Sequence, residues 1–233
     1  STITFLAPVV ATENGAPITI NDVLAHADDI DSDDSSATLR IITASAASGA
    51  EILLDGDRGQ NFIYDPSKTV AFEDLGVGET ASDLITYTVV DRHGATATGQ
   101  LKITVQGSND VPTARSDAFS VDEDNIATFS VLANDSDPDR NDTLRVVKIN
   151  GQAISFGNPV ALASGALILL TTDGRLQFDA NHAYDYLAVN QAQTTSFTYT
   201  AGDGPGGLSD PVVALPIPGL HDAPVAAADR MTV

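Results

Sequence analysis

The residues of this chain that are best suited to chemistry are aspartates gathered in two short stretches. One stretch, residues 134–142, reads Asn-Asp-Ser-Asp-Pro-Asp-Arg-Asn-Asp. Its carboxylates are Asp135, Asp137, Asp139 and Asp142. About a hundred residues earlier a similar stretch carries Asp29, Asp31 and Asp33 among its acids, and an apolar run follows each stretch.

Carboxylates packed this closely repel one another, by roughly 4 kcal/mol for a pair about 4 Å apart at an effective dielectric constant of about 20. Such a loop is therefore either splayed into water or gathered around a hard cation. Calcium suits these residue types best, since it takes about six to eight oxygen ligands in flexible geometry. The pattern favours a calcium site, and a solvated acidic turn is the alternative.

Familiar site motifs do not match. An EF-hand loop counted from Asp135 would place Arg140 where glycine is required and Val146 where the bidentate glutamate belongs. The chain lacks cysteine and a Gly-x-Ser-x-Gly motif, and its four histidines lie in unrelated contexts, which disfavours nucleophilic catalysis and zinc. We expect no enzyme activity, although acidic residues are common enough that residue type alone leaves glycoside hydrolysis open.

Net charge limits the partners of this protein. The 233 residues include 11 Lys and Arg against 32 Asp and Glu, for a net charge of −21. An acidic excess of this size argues against nucleic acid and against anionic membrane surfaces. No apolar run reaches the roughly 18 residues of a membrane span, and the first residues lack the layout of a secretory signal. A removed signal, another export route and no export all remain open.

The second half of the chain repeats the first with a period of about 112 residues. Residues 108–112 (Ser-Asn-Asp-Val-Pro) match residues 220–224 (Leu-His-Asp-Ala-Pro), and residues 87–91 match residues 199–203. Further anchors follow in the same order, which indicates two copies of one unit.

Apolar residues in each copy alternate with a period of two, as in Leu101, Ile103 and Val105, which is typical of half-buried strands. Asn150-Gly151 and Asp173-Gly174 each predict a two-residue hairpin loop. About seven strands per copy predict an all-β fold with two tandem antiparallel β-sandwich domains. The predicted domains are residues 1–109 and 110–222, followed by a tail, 223–233, that resembles the first strand of a further repeat.

The combination of Tyr-Thr-Val-x-Asp-x-x-Gly, Asn-Asp-x-Pro, Asp-Glu-Asp and Leu-Ala-Asn-Asp-x-Asp resembles the cadherin-like, VCBS-type repeats of bacterial adhesins. The resemblance covers nearly the whole chain in both copies. It implies cadherin-like or Ig-like sandwiches, calcium as the cofactor, type I secretion and an extracellular location at the bacterial cell surface. A two-repeat chain also resembles the rhizobial Rap agglutinins, calcium-dependent lectins, which implies acidic exopolysaccharide as the partner.

The resemblance also implies a set of metal ligands at the base of each domain, in the acidic loops and in the linker. These are Glu13, Glu123, Asp29, Asp31, Asp33, Asp135, Asp137, Asp139, Asp142, Asn109 and Asp110. The second linker has His221 where the first has Asn109, so the two copies need not hold equal numbers of ions.

A sugar-binding site would need an exposed aromatic side chain and nearby polar groups. Residues 181–186, Asn-His-Ala-Tyr-Asp-Tyr, are the best candidate. Tyr184 matches Phe72 of the first copy and is expected in the core, whereas Tyr186 matches Asp74 and is expected to be exposed. We therefore predict a carbohydrate site at Tyr186, Asn181 and His182.

These expectations combine into a secreted, monomeric, calcium-binding adhesin or lectin that binds acidic exopolysaccharide at the cell surface or in the biofilm matrix. A strongly acidic protein cannot approach a polyanion through its own charges, so calcium must bridge to sugar carboxylates or remove local repulsion. The alternative is a calcium-rigidified spacer in a larger adhesin, with no ligand of its own.

Overall fold

The computed structural model of the chain describes residues 9–25, 27 and 37–221, which form two compact, nearly all-β units. The first unit comprises Ser1–Asp110 together with the segment Pro138–Asp142, and the second comprises Val111–Asp137 and Thr143–Val233. The fold class predicted from the sequence is confirmed. The predicted domain limits stay predictions, and the tail at residues 223–233 lies outside the described residues.

The first unit is a sandwich of a four-stranded and a three-stranded sheet. Its strands are β1 (Val9–Thr12), β2 (Ile18–Ile20), β3 (Arg40–Ala46), β4 (Glu51–Asp55), β5 (Asn61–Asp65), β6 (Thr80–Val90) and β7 (Thr96–Gln106). The larger sheet has the order β1-β7-β6-β3 and the smaller one the order β2-β5-β4. All neighbouring strands are antiparallel except β1, which runs parallel to β7.

The core of the first unit follows from the alternating pattern. On β6 and β7 every second residue is buried, among them Ile85, Tyr87 and Ile103. Phe62 on the facing sheet packs edge-to-face against Tyr87, with 5.4 Å between ring centroids. Full burial of each such side chain contributes about 1.5–3 kcal/mol, so the two long strands and the facing sheet carry most of the stability.

The second unit repeats this topology. Its strands are β8 (Asp117–Ala118), β9 (Ala127–Phe129), β10 (Arg145–Ile149), β11 (Gln152–Ala153), β12 (Val160–Ala161), β13 (Leu167–Leu170), β14 (Leu176–Asp179), β15 (Ala192–Gly202), β16 (Leu208–Ser209) and β17 (Val212–Pro218). One sheet has the order β11-β10-β15-β17-β8, with β16 beside β15, and the other has the order β12-β13-β14-β9. The parallel pair β8–β17 corresponds to β1–β7.

One of the two predicted hairpin loops is confirmed and the other is wrong. Asn150 and Gly151 both have positive φ, 47° and 77°, and join β10 to β11 directly. The loop at Asp173-Gly174 has five residues, 171–175, between the paired strand ends Leu170 and Leu176. The Thr171 hydroxyl donates to the Asp173 carboxylate at 2.5 Å, and the Thr171 amide donates to the Arg175 carbonyl oxygen at 2.9 Å.

Each core contains a tyrosine whose hydroxyl donates to an aspartate. Tyr64 donates to Asp83 at 2.8 Å, and Tyr199 donates to Asp135 at 2.7 Å. Asp83 is buried and also accepts from the Ser48 hydroxyl at 2.5 Å and the Ser48 amide at 3.1 Å. Burial, then the hydrogen bond to Asp83, raises the pKa of Tyr64, so the tyrosine stays a donor to a carboxylate inside the sandwich.

We expect Tyr64→Phe to destabilise the first unit by about 1–3 kcal/mol, because Asp83 loses a donor that its burial makes hard to replace with water. Calorimetry of the purified protein should show a lower melting temperature for one transition. Tyr186→Phe, at an exposed tyrosine, serves as the control. Equal melting temperatures for the two variants would contradict a structural role for the Tyr64–Asp83 pair.

Candidate metal centre

Glu13 is placed by the parallel pairing of the first and last strands of unit one. β1 ends at Thr12 beside Gln106 of β7, and the Glu13 amide continues the pairing by donating to the Gln106 carbonyl oxygen at 3.0 Å. This register brings Glu13 next to Ser108. The Glu13 Oε1 atom accepts from the Ser108 amide at 2.6 Å and from its hydroxyl at 3.2 Å. Glu13 is only 2% exposed.

Two aspartates lie beside Glu13, and one carboxylate oxygen of each accepts a hydrogen bond that orients the side chain. Asp110 Oδ1 accepts from the Asn14 side-chain amide at 2.9 Å, and Asp139 Oδ2 accepts from the Asp110 backbone amide at 2.9 Å. Asn109, predicted as a ligand, donates its side-chain amide to the Asp110 carbonyl oxygen at 2.9 Å. The chain thus orients these carboxylates with backbone and amide donors and brings no basic side chain into direct contact with them in the hydrogen bonds described.

Glu13, Asp110 and Asp139 form a cluster in which one carboxylate oxygen of each lies within 4.8 Å of the others. Glu13 Oε2 and Asp110 Oδ2 are buried and accept no hydrogen bond. Two ligands of one calcium ion, each about 2.3–2.6 Å from the metal, are at most about 5 Å apart. An all-oxygen donor set at this separation, with two buried oxygens lacking donors, therefore fits a hard cation such as Ca²⁺.

Burial and mutual repulsion raise the pKa values of two carboxyl groups in the cluster, Glu13 and Asp110. Burial raises the pKa of Glu13 against the lowering effect of the Ser108 hydrogen bonds, and the charges of Asp110 and Asp139 raise it further. Burial also raises the pKa of Asp110, as does the charge of Asp139. Without a cation, the ionised cluster therefore opposes folding.

Arg140 and Asn141 hold the segment that carries Asp139. The Arg140 guanidinium pairs with Asp74 and with Glu79, both at 3.1 Å, and the Asn141 amide also donates to Glu79. The acidic stretch is therefore anchored by the single arginine within it. Sequence analysis missed this role, and the signal was an isolated basic residue among four aspartates.

Other predicted ligands of the acidic stretches have different surroundings. Both Asp135 oxygens accept protein hydrogen bonds, from the Arg115 amide at 2.8 Å and from Tyr199, which gives this residue a structural role. The Asp142 amide donates to the Asp139 carbonyl oxygen at 3.1 Å and closes the turn. Their assignments as metal ligands stay predictions. The predicted ligands Asp29, Asp31 and Asp33 lie outside the described residues.

Asp203 is a buried acid of the second unit that sequence analysis left out of the predicted ligands. Its carboxylate and that of the predicted ligand Asp137 have oxygens within 4.8 Å of each other. Asp203 Oδ1 accepts from the amides of Gly206 and Gly207, both at 2.9 Å. The repeat carried the signal, since Asp203 corresponds to Asp91, which caps its own turn by accepting from the amides of His93 and Ala95.

Glu123 repeats the geometry of Glu13 in the second unit. It is 3% exposed, its Oε1 accepts from the Leu220 amide at 2.5 Å, and its buried Oε2 accepts no hydrogen bond. The residue that would match Asp110, Asp222, lies outside the described residues. Among the described residues, therefore, the glutamate and its backbone anchor are duplicated.

The predicted carbohydrate site is spread over two neighbouring features. Tyr186 is 67% exposed and lines a shallow pocket of about 520 Å³ with Asp185 and His221, and Asn181 and His182 are not among its lining residues. His182 instead faces Asp185, with 2.8 Å between Nδ1 and the carboxylate. Tyr184 is buried, as expected from the repeat. Sugar binding at these residues stays a prediction.

Comparisons with known proteins agree with this architecture. Residues 109–218 match the family model of a bacterial cadherin-like domain, and residues 4–104 match that of a bacterial Ig domain. The chain therefore consists of two tandem domains, one Ig-like and one cadherin-like, which supports the predicted tandem cadherin-like repeats of bacterial adhesins. Such domains usually act as extracellular adhesion or structural modules without enzyme activity, and cadherin-like domains generally bind calcium.

Solved structures with similar folds are cadherin fragments. Human CDH23 EC21-23 is 16% identical with a TM-score of 0.50, over 91% of this chain and 72% of that one. Protocadherin Gamma B2 extracellular cadherin domains 1-5 are 15% identical with a TM-score of 0.44. That match covers 93% of this chain and 39% of the protocadherin chain. The likeness to CDH23 EC21-23 shows the fold alone. No curated protein matches the sequence.

Among the described residues, no helix is long and apolar enough to cross a membrane.

In the presence of a chelator, we expect mild acid to stabilise the first unit. The pKa values of Glu13 and Asp110 are raised in the folded state, so this state binds protons that the unfolded chain releases, and stability rises as pH falls from neutrality towards these raised values. Glu13→Gln should reduce this rise. The measurement is melting temperature against pH in EDTA, with the exposed Glu51→Gln as the control. Identical pH dependence in both variants would refute a raised pKa at Glu13.

Proposed function

We propose that this protein is a secreted, calcium-binding adhesion module in which Glu13, Asp110 and Asp139 hold Ca²⁺. The observation that carries the proposal is the pair of buried oxygens, Glu13 Oε2 and Asp110 Oδ2, that lack a hydrogen-bond donor inside a three-carboxylate cluster. Burial of uncompensated carboxylates is costly, and a divalent cation removes that cost for all three at once.

Calcium would also fix the connector that leads out of the first unit. Ser108 and Asn109 precede the ligand Asp110. The amides of Ser108 and Asp110 donate to the Glu13 and Asp139 carboxylates, and the Asn109 side chain donates to the Asp110 carbonyl oxygen. Bound calcium would hold these residues in one conformation, whereas the metal-free carboxylates repel one another. Stiffening of the connector is the mechanical consequence that a repeat of an adhesin requires.

An acidic bacterial polysaccharide is the partner we propose for the module. A net charge of −21 repels a polyanion, so binding needs calcium bridges or local positive charge. The exposed ring of Tyr186 supports a sugar contact, since a large aromatic side chain that is 67% exposed has no packing role in the unit. Calcium-stiffened spacer repeats without a ligand of their own are the alternative.

Calcium should raise the melting temperature of the protein, because it binds only the folded cluster. Saturation at about 100 times the dissociation constant stabilises by about 2.7 kcal/mol, which corresponds to roughly 10 °C or more for a unit of this size. Glu13→Gln and Asp139→Asn should each lose most of this rise. Differential scanning fluorimetry across a calcium titration measures the effect.

Asp57→Asn, at an exposed carboxylate of the same unit, is the matched control and should keep the full rise. Glu13→Gln offers a second check, because the change relieves repulsion without metal and removes a ligand with metal. Its melting temperature should equal or exceed that of the unmodified protein in EDTA and fall below it in calcium. A calcium response that both ligand variants retain would move the site elsewhere.

Tyr186→Ala should weaken retention of the protein on an acidic exopolysaccharide by several fold in calcium, since a stacked aromatic contact contributes about 0.5–1.5 kcal/mol. Tyr186→Phe keeps the ring and should retain binding. Retention is measured by pull-down on immobilised polysaccharide with and without EDTA. If the unmodified protein binds none of a panel of bacterial polysaccharides, the spacer alternative stands.

A further inference from the structure

A pocket in the second unit, separate from the acidic cluster and from Tyr186, combines positive charge with an exposed aromatic ring. It has a volume of about 590 Å³, within the usual range for small-ligand sites. The start of β10, the loop 171–175 and the segment around Leu132 form its walls, and Phe156 lies at its edge. All of these residues belong to the second unit.

The pocket concentrates basic side chains that are rare in this protein. The described part of the second unit has four of them, Arg115, Arg145, Lys148 and Arg175, and both Arg145 and Arg175 line the pocket. The backbone of Arg145 pairs with Gly202 in the sheet, and its guanidinium forms no hydrogen bond or ion pair with any described residue. In a chain with 32 acidic and 11 basic residues, an arginine without an acidic partner is available to an external anion.

The charge of the pocket matches a single carboxylate. Asp173 also lines it, and the Thr171 hydrogen bond keeps the pKa of that carboxyl below its usual value, so Asp173 is ionised and offsets one of the two guanidinium groups. The guanidinium of Arg175 donates one weak hydrogen bond, to the Thr128 carbonyl oxygen at 3.5 Å. The net charge of +1 favours a monoanion, and arginine binds carboxylates through two parallel hydrogen bonds.

The remaining walls suit the apolar face of a sugar ring. Phe156 is 63% exposed, although burial of a phenylalanine would be favourable, and it lines the same pocket as the two arginines. Leu132, Leu144 and Leu170 form a half-buried apolar surface in the same pocket. A hexuronic acid has both features that this arrangement would recognise, an apolar ring face and one carboxylate per ring.

We propose that the Arg145–Arg175–Phe156 pocket binds a uronic-acid residue of an acidic polysaccharide, with the carboxylate on the guanidinium groups and the ring against Phe156. This inference rests on the proposed adhesion function for its choice of polymer, and it locates a contact that needs no metal. Protein cations supply the positive charge, so binding at the pocket is independent of calcium. The Tyr186 pocket offers Asp185 instead, which repels a carboxylate.

The test is titration calorimetry with trigalacturonic acid, in EDTA and in calcium, at low and moderate salt. We expect binding in both buffers that weakens as salt is added, and no binding of neutral maltotriose. The double variant Arg145→Gln, Arg175→Gln should bind at least about 10-fold more weakly, as expected for the loss of charge-assisted hydrogen bonds. Phe156→Ala should weaken binding about 3-fold or more.

The double variant Arg92→Gln, Arg115→Gln removes the same charge at exposed positions outside the pocket and should bind within about 2-fold of the unmodified protein. Absence of binding by the unmodified protein, equal binding of maltotriose, or unchanged affinity of the Arg145, Arg175 variant would overturn the proposal. Equal binding of trialanine would assign the pocket to peptide carboxylates and reject the sugar.

The calcium titration of melting temperature on the same samples separates the two proposals. A calcium-stabilised protein that does not bind trigalacturonic acid retains the calcium-binding function and loses this site. Binding of trigalacturonic acid in EDTA, with no effect of calcium on melting, supports the site and rejects the calcium cluster. Binding that appears only in calcium would place the sugar at the metal and overturn the pocket.

Discussion

Mutual repulsion of buried carboxylates is the constraint on which the candidate metal centre of this protein depends. Glu13 is nearly inaccessible to water and shares a small volume with Asp110 and Asp139. Hydrogen bonds from Ser108 and Asn14 fix one oxygen of Glu13 and of Asp110 and leave the other without a donor. Such an arrangement is costly by itself and favourable with a cation, which is why we propose that calcium stabilises the folded state of this region.

The sandwiches supply the geometry that this constraint requires. A parallel pair of first and last strands sets the chain entry beside the chain exit in each unit, so that Glu13 meets Ser108 and Glu123 meets Leu220. The same alternating strands bury the core and set this register, because a shift by one residue would turn the core residues outwards. The stability of the sheets and the position of the site therefore have one origin.

The sequence predicted the sandwiches well because the period-two pattern and the internal repeat are local and redundant. It also placed Glu13, Asp110 and Asp139, which the fold brings together, among the predicted metal ligands. It could not distinguish them from Asp135, whose carboxylate is satisfied by Tyr199 and the Arg115 amide, because spacing along the chain does not record which donors the fold brings close. The length of the loop at Asp173-Gly174 was misjudged because a turn dipeptide does not record where the flanking strands end, which here is at Leu170 and Leu176.

Basic residues are rare in this chain, so the places where they lie indicate where positive charge has a role. The chain has 11 Lys and Arg, and an arginine at any surface position would make the net negative charge smaller by one unit. Arg140 instead anchors the segment that carries Asp139, while Arg145 has no described acidic partner and shares a pocket with Arg175 and Phe156. Because the field of the protein repels anions, only such a local concentration of guanidinium groups can attract one without metal. The two sites that we propose therefore lie in different places, with the cation at the clustered carboxylates and the anion at Arg145 and Arg175.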